Sequence, residues 1–341
     1  SQFGELSSAA MEVRFLSGET LTQLSADEFP GVKELKQSLA AQIGASRFKQ
    51  RLFLDGSEIL DDEVFGSEAV QLKLLLVVVD FCPADAEEQQ KMLLAIAEND
   101  LVAVEEFLRR PYNPNMVIQD DVTPLQSAAA RGHVGAMQLL IEAGAELEIA
   151  SNGPPPLHLA AYNGHLDAVR YLVEAGVSPD QPEDDGFTAL HYAAEGNHLD
   201  LVRFLVSAGA KPDQQTTDEG ATPLSIAASN GFLDILKFLL ECGADKDNLD
   251  IATPLWYAAE RGHLEMVEVL IQARANPHCQ GYGPQYTRHA RNVFLTPLEV
   301  ASALGHREVV RLLTAHSARA AGADRQLTFA DDRLGAEKKK K

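Results

Sequence analysis

The sequence predicts a multidomain chain in which a small α+β domain precedes an all-α solenoid of repeated helix pairs. Two observations support this prediction. Short strand-like segments flank one amphipathic helix within residues 11–80, and a leucine-centred pattern recurs from residue 88 onward. With 341 residues, 45% of them hydrophobic, the chain can bury more than one core. We expect a flexible amino terminus (1–10), the α+β domain (11–80), a linker (81–90), an array of about seven units (91–317) and a disordered tail (318–341).

The α+β domain is predicted from its local patterns, taken in chain order. Residues 11–15 and 19–24 alternate as two strands around a Ser-Gly turn. Residues 30–43 place apolar side chains three or four apart, which predicts one helix. Residues 51–54 form a strand that enters an Asp-Gly turn, and residues 72–79 form a final apolar strand.

One stretch of this domain carries a family resemblance. Residues 49–62, with the sequence KQRLFLDGSEILDD, are similar to the signature stretch of ubiquitin-like domains, and residues 11–80 as a whole resemble that family. The resemblance implies a β-grasp fold and an exposed apolar recognition patch at Leu16, Phe53 and Leu75, which would dock on a ubiquitin-pathway or proteasomal receptor. The alternative is that all three side chains lie in the core. No diglycine follows the last strand, so the domain does not resemble a conjugated modifier.

Each unit of the array has the same physical design, as the sixth unit illustrates. Thr253 is a suitable N-cap, and Pro254 occupies the first helical position, where no backbone N–H is needed. The small pair Ala258-Ala259 allows close helix packing, and Gly262 ends the helix. A second helix with apolar residues at helical spacing follows within residues 264–271.

The repeat closely resembles the ankyrin repeat over residues 88–317. The anchoring leucines lie 31 to 34 residues apart, and 43 apart at the last interval. They are Leu93, Leu125, Leu157, Leu190, Leu224, Leu255 and Leu298. The resemblance implies an all-α ankyrin-repeat solenoid that recognises another protein. Departures include Arg274, where glycine is expected, and the first unit, which lacks the Thr-Pro start as capping repeats often do.

A binding surface is predicted where the units differ from one another. The resemblance implies that hairpins and first helices line a concave face, and exposed aromatic residues often anchor interfaces. We expect the partner to contact the third to sixth units, with Trp256 as an anchor near the centre. The predicted residues are Tyr162, Asn163, Phe187, Tyr192, Glu195, Ser229, Asn230, Trp256, Tyr257, Glu260 and Arg261.

The acidic hairpin tips are a separate candidate. Asp184-Asp185 and Asp218-Glu219 could bind a basic partner, although solvated turn residues are the simpler interpretation.

The histidines are better explained as scaffold than as catalysts. His133, His165, His198, His263 and His306 recur after the glycine stop, and His158 and His191 share a place in the first helix. A catalytic residue is needed once, so repetition favours loop and cap hydrogen bonds. No phosphate-binding loop, nucleophile elbow or HExxH helix appears, and we expect neither enzyme activity nor a cofactor.

A long connection within residues 279–294 offers the alternative function, which is a metal-dependent or enzyme-associated regulatory subunit. His278, Cys279 and His289 could ligate zinc there, but their spacing fits no known finger and a fourth ligand is missing. We favour a projecting polar loop.

Charge and cysteine content limit the partners and the compartment. The 29 Lys and Arg residues face 50 Asp and Glu residues, and the net charge of −21 disfavours nucleic acid. The longest apolar run, residues 74–79, is far shorter than the ~18 residues of a membrane span. We therefore expect protein partners rather than nucleic acid or membrane insertion, and we expect the chain to be a monomer. Three scattered cysteines fit an intracellular, mainly cytoplasmic location, with the lysine run at 338–341 leaving a nuclear signal as the alternative.

Overall fold

The computed structural model of the chain describes residues 10–15, 17, 20–25, 29, 31–54, 57–61, 72–118, 122–148, 153–217, 220–248, 252–282 and 294–318. Several sequence predictions lie outside the described residues: those for Leu16, for Asp218-Glu219, for His289 and for nearly all of both terminal segments. The chain divides into two compact units, Ser1–Pro156 and Leu157–Lys341. The first unit holds the α+β domain and the first two repeats, and the second holds the later repeats.

The amino-terminal domain, called the head below (residues 10–79), is a five-stranded mixed sheet with one helix. Its elements are β1 (Ala10–Phe15), β2 (Thr20–Ser25), α1 (Val32–Ile43), a 3-10 turn (Arg47–Lys49), β3 (Gln50–Leu54), β4 (Ser57–Ile59) and β5 (Leu72–Val78). The strand order is β2-β1-β5-β3-β4. Strands β1 and β5 are parallel, and the other pairs are antiparallel. This arrangement is compatible with a β-grasp fold.

The head has its own hydrophobic core between α1 and one face of the sheet. Leu35 and Leu39 of α1 are fully buried against Val13, Leu52 and Leu74. The sequence predicts the helix and four of the five strands. It does not predict β4, because a three-residue strand is too short to show alternation.

The array consists of seven helix pairs within the described residues. The helices are α2 (Ala86–Glu98), α3 (Leu101–Leu108), α4 (Pro124–Ala130), α5 (Val134–Glu142), α6 (Pro156–Tyr162), α7 (Leu166–Glu174), α8 (Ala189–Glu195), α9 (Leu199–Ser207), α10 (Pro223–Asn230), α11 (Leu233–Glu241), α12 (Pro254–Arg261), α13 (Leu264–Gln272), α14 (Pro297–Leu304) and α15 (307–318). Helix α2 begins at Ala86, so half of the predicted linker belongs to the first repeat.

The local signals of the repeat act as the sequence predicts. The Thr253 side chain accepts a hydrogen bond from the backbone of Trp256, and the caps of α4, α10 and α14 are made in the same way. Ala258 and Ala259 are fully buried. Arg274 adopts a positive φ of 63° where glycine is expected, which a non-glycine residue tolerates at some cost in strain.

The third residue after the N-cap, called the cap-position residue below, ties repeats two, four and six to the repeat that follows. In repeat four this residue is His191. Its Nδ1 accepts from the backbone N–H of Thr188 at 3.0 Å, and its Nε2 lies 3.1 Å from the carbonyl oxygen of Ala221, in the segment that leads to repeat five. The buried His191 therefore satisfies its own helix start and a neighbouring carbonyl together.

Repeat two makes the same pair of bonds with a glutamine. Gln126 Oε1 accepts from the Thr123 N–H at 2.8 Å, and Gln126 Nε2 donates to the Pro154 carbonyl at 3.0 Å. The glutamine amide supplies one acceptor and one donor and does not titrate. The two cap-position bonds therefore require an acceptor and a donor at this spacing, and they do not require an ionisable group. The histidines at this place are scaffold, which confirms the sequence interpretation.

The histidines after the helix stop also join neighbouring repeats. Four of them place a ring nitrogen against a backbone carbonyl of the preceding repeat. The pairs are His133 with Ile96 at 2.7 Å, His198 with Tyr162 at 2.9 Å, His263 with Ser229 at 3.1 Å and His306 with Glu260 at 2.8 Å. Three of these carbonyls belong to residues predicted for the binding surface, so the backbone under that surface is fixed from the next repeat.

The buried cap-position histidines should make the array sensitive to mild acid. Burial lowers the pKa of His158 and of His191 to about 4. The unfolded chain binds these protons below about pH 6.5. The free energy of unfolding should therefore fall as the pH drops from 6.5 to 4, by on the order of 3 kcal/mol for each histidine. We expect His191→Gln, which copies Gln126, to keep near-native stability at pH 7 and to flatten this dependence.

Urea unfolding followed by circular dichroism at several pH values measures the effect. The control is His278→Gln, which removes an exposed histidine. A pH profile of His191→Gln that superimposes on the parent profile would contradict the assignment.

Candidate protein-binding surface

The predicted surface residues of repeats three and four form one aromatic cluster, defined here as Tyr162, Phe187 and Tyr192. Tyr162 is the last residue of α6, and it is 49% exposed. Its ring meets the ring of Tyr192 edge to face, with centroids 6.0 Å apart. Phe187 lies 5.5 Å from Tyr192 at a tilt of 42°. Tyr162 and Tyr192 are 30 residues apart in the sequence, and the stacking of α6 and α8 brings their rings together.

Tyr192 is held in place by a buried polar contact. Its hydroxyl donates a short hydrogen bond to Glu183, which lies in the segment before α8. Burial raises the pKa of Tyr192, and the hydrogen bond and charge of Glu183 raise it further, followed by the charges of Glu195 and Asp185. The hydroxyl therefore stays protonated, and several carboxylates lie close to the aromatic cluster.

Trp256 is a correction to the sequence prediction. It is only 3% exposed, and its Nε1 donates to the carbonyl oxygen of Leu295 at 2.9 Å. Trp256 occupies the cap position of repeat six, so the indole makes the bond to the next repeat that His191 makes in repeat four. The expectation that Trp256 is an exposed anchor is wrong, because the side chain belongs to the scaffold.

The other predicted residues differ in accessibility. Asn163, Glu195, Asn230 and Arg261 are exposed, whereas Ser229, Tyr257 and Glu260 are half-buried. Burial raises the pKa of Glu260, and Arg261 opposes the rise from a distance of 3.8 Å. The ends of α6, α8, α10 and α12 thus present a series of different polar and aromatic side chains.

In the head, strand register places Phe53 and Leu75 side by side. They are directly opposite partners on β3 and β5. Their neighbours Leu52, Leu74 and Leu76 are buried in the core, so Phe53 and Leu75 point to the other face of the sheet, where both are half-buried. Neither residue is a member of the head core, and their role in a recognition patch stays a prediction. The third residue of the patch, Leu16, lies outside the described residues.

A buried arginine joins the head to the first two repeats, and sequence reasoning misses it. The Arg47 side chain has no exposed surface and contacts three carboxylates. Its Nη1 lies 2.5 Å from Asp61 of the head, its Nη2 lies 2.9 Å from Glu105 of α3, and its Nε lies 2.7 Å from Glu142 of α5. A buried charge is stable only when it is paired and hydrogen-bonded. Each of the three guanidinium nitrogens of Arg47 contacts a carboxylate.

Lysines complete the charge balance around Arg47. Lys36 contacts Asp61 at 2.7 Å, and Lys33 contacts Glu105 at 3.4 Å. Burial alone would raise the pKa of Asp61, but the hydrogen bond and charge of Lys36, together with Arg47, outweigh it and hold that pKa below its usual value. Because Glu105 and Glu142 belong to second helices, the head docks on the second-helix side of repeats one and two.

The connection between repeats six and seven begins and ends in a short antiparallel ribbon, formed by β6 (Gly281–Tyr282) and β7 (Phe294–Leu295). Cys279 is buried beside it, and burial, followed by the charge of Asp247, raises the pKa of its thiol. Across the described parts of the chain, no three His, Cys, Asp or Glu side chains are grouped so as to hold a metal ion. Those same parts contain no helix with the length and apolarity of a membrane span.

Comparisons with known proteins concern the array. The family model for ankyrin repeats (three copies) matches residues 92–183, 175–250 and 247–324, which is more than half of the chain. Among solved structures, the crystal structure of the human ASB11 ankyrin repeat domain is similar, with a TM-score of 0.56 and 26% identity. That similarity covers 66% of this chain and 96% of that one. No curated protein matches the chain.

Replacing Arg47 should be far more damaging than replacing an exposed arginine. Arg47→Met keeps most of the apolar side chain but leaves Asp61, Glu105 and Glu142 without their shared cation. We expect a loss of about 3 kcal/mol in the free energy of unfolding, because breaking a buried ion pair strands the partner charge. Urea unfolding and hydrogen exchange of residues 47–54 measure the loss.

The matched control is Arg110→Met, which removes a half-exposed arginine paired with Glu88 at 2.7 Å. Exposed ion pairs contribute about 0–1 kcal/mol. Equal stability of the two variants would contradict the role assigned to Arg47.

Proposed function

The chain belongs to the ankyrin-repeat family, and from this premise we propose that it is a non-catalytic adaptor with two protein-binding surfaces. The array binds a partner protein through the ends of its first helices, called the first-helix face below. The head docks on a ubiquitin-pathway or proteasomal receptor through Phe53 and Leu75. The observation that carries the proposal is a set of different side chains at the ends of the first helices, on a backbone that a histidine of the next repeat fixes at α6, α10 and α12.

The contrast between backbone and side chains supports the first-helix face. The carbonyls of Tyr162, Ser229 and Glu260 all face a histidine of the next repeat. Folding therefore demands the same geometry at each place, yet the side chains there are aromatic, polar or charged. Side chains that the scaffold does not specify can be selected for a partner, and a rigid backbone lowers the entropy that binding would otherwise cost.

The attachment of the head supports the second binding surface. Arg47 connects the head to α3 and α5, which are second helices. The buried Arg47 network holds the head and these two repeats together, so a receptor bound to the head would be presented at a defined position relative to repeats one and two.

Variants on the two sides of the array test the main proposal. Tyr162→Ala combined with Arg261→Ala should release a partner that copurifies with the full chain, because exposed aromatic and arginine residues are typical hot spots. We expect Tyr162→Ala alone to cost about 2 kcal/mol of binding. Affinity purification with quantitative mass spectrometry identifies the partner, and calorimetry measures its binding.

The control combines Asp167→Asn with Lys237→Ala, which change exposed residues on the second helices α7 and α11. Loss of the partner in the control, with retention in the first-helix variant, would overturn the proposed face.

The head is tested separately with Phe53→Ala. Because Phe53 lies outside the head core, we expect a cooperative, near-native unfolding transition together with weaker binding to an immobilised proteasomal ubiquitin receptor. Leu52→Ala is the contrasting variant, since Leu52 is fully buried and its truncation should cost about 2–5 kcal/mol of stability. Unchanged receptor binding by Phe53→Ala would refute the docking proposal for the head and leave the array proposal untouched.

A further inference from the structure

We propose that the aromatic cluster of Tyr162, Phe187 and Tyr192 binds a lysine or arginine side chain from an extended segment of the partner protein. This inference rests on the proposed function of the first-helix face and specifies the chemistry of its ligand. The cluster lies between repeats three and four: Tyr162 ends α6, Phe187 precedes α8 and Tyr192 lies within α8.

The ring geometry favours a cation. Tyr162 is the most exposed aromatic side chain of the cluster, and its ring stands at 89° to the ring of Tyr192. Perpendicular rings present one face and one edge to a ligand, and the face of an aromatic ring attracts cations. Tyr192 cannot turn away, because its hydroxyl bonds Glu183 and His158 packs edge-on at 5.7 Å.

The surrounding charge is complementary to the same ligand. Glu183 is half-buried beside Tyr192, and Asp184, Asp185 and Glu195 are exposed. In the described part of the chain, no lysine or arginine forms an ion pair with any of these four carboxylates. A cationic side chain stacked on the tyrosines could therefore pair with a carboxylate that the fold does not use.

Nearby arginines are engaged elsewhere. Arg170 lies over Phe204 at 4.7 Å and Arg203 lies over Phe238 at 4.5 Å, and both belong to second helices. The corresponding place in repeat six differs, because Arg261 stands beside Glu260 and is 60% exposed. Repeats three and four instead combine the exposed ring of Tyr162 with carboxylates that no described lysine or arginine pairs, which favours this place for the basic residue of the partner.

A labelled peptide tests the inference on the full chain. The probe is rhodamine-Gly-Ser-Lys-Gly-Arg-Gly-Ser, and its neutral counterpart has glutamine in place of both basic residues. Fluorescence anisotropy at low salt should show binding of the basic peptide only, weakened by added salt. We expect Tyr162→Ala to weaken it about fivefold, as the loss of one cation–π contact implies, and Tyr162→Phe to preserve it.

Paired charge variants separate local recognition from overall charge. Asp185→Asn with Glu195→Gln should weaken peptide binding, whereas Asp167→Asn with Asp200→Asn, on α7 and α9, removes as much charge and should not. Equal weakening by both pairs, or equal binding of the neutral peptide, would overturn the inference.

The lysine run of this chain is a competing occupant. Replacing Lys338, Lys339, Lys340 and Lys341 by serine in the full chain should leave peptide binding unchanged. Binding that appears only after this replacement would overturn the inference in favour of the chain's own run. If the peptide fails to bind while Tyr162→Ala still releases the copurified partner, the ligand class is wrong and the proposed function stands.

Discussion

The structure of the array depends on one constraint, which is that polar groups buried between neighbouring repeats must find partners in both. In repeats two and four the cap-position side chain meets this constraint by accepting from its own helix start and donating to the next repeat. Gln126 and His191 do this with different chemistry and the same geometry. An unpaired buried donor or acceptor costs about 1–3 kcal/mol, so these bonds set the register in which repeats can stack.

The same constraint explains one buried atom without a partner. His158 occupies the cap position of repeat three, and its Nδ1 has no hydrogen-bond partner. The residue three places earlier is Pro155, whereas His191 has Thr188 at that place. Proline has no backbone N–H to donate. The His158 ring still reaches the Gln181 carbonyl at 2.9 Å, so repeat three keeps its outward bond and loses the local one.

Sequence predicts the repeats well because their signals are local. The Thr-Pro start, the alanine pair and the glycine stop each act within one or two helical turns. The sequence does not predict the Arg47 network, because Glu105 and Glu142 lie 58 and 95 residues away from Arg47 and no periodic pattern connects them. The sequence prediction that Trp256 is exposed is wrong, although the sequence carries a signal for its burial. Trp256 stands at the cap position, and a residue there is buried by the repeat itself.

Fixed backbone and variable side chains together give the array its proposed role. Histidines of the next repeat fix the ends of α6, α10 and α12, so a change of side chain at Tyr162 or Arg261 alters the surface without altering the fold. The head is held on the second helices of the first two repeats through Arg47. Under this proposal, the residues that fix the backbone and the residues that recognise the partner are separate sets.

Hydrogen–deuterium exchange of the full chain, measured with and without its purified partner, tests this separation most directly. The account predicts that the partner slows exchange at the ends of α6, α8, α10 and α12 and in the segments before them, while α7, α9, α11 and α13 keep their free rates. Slowed exchange confined to α7, α9, α11 and α13 would contradict the account, because it would place the partner on the second helices.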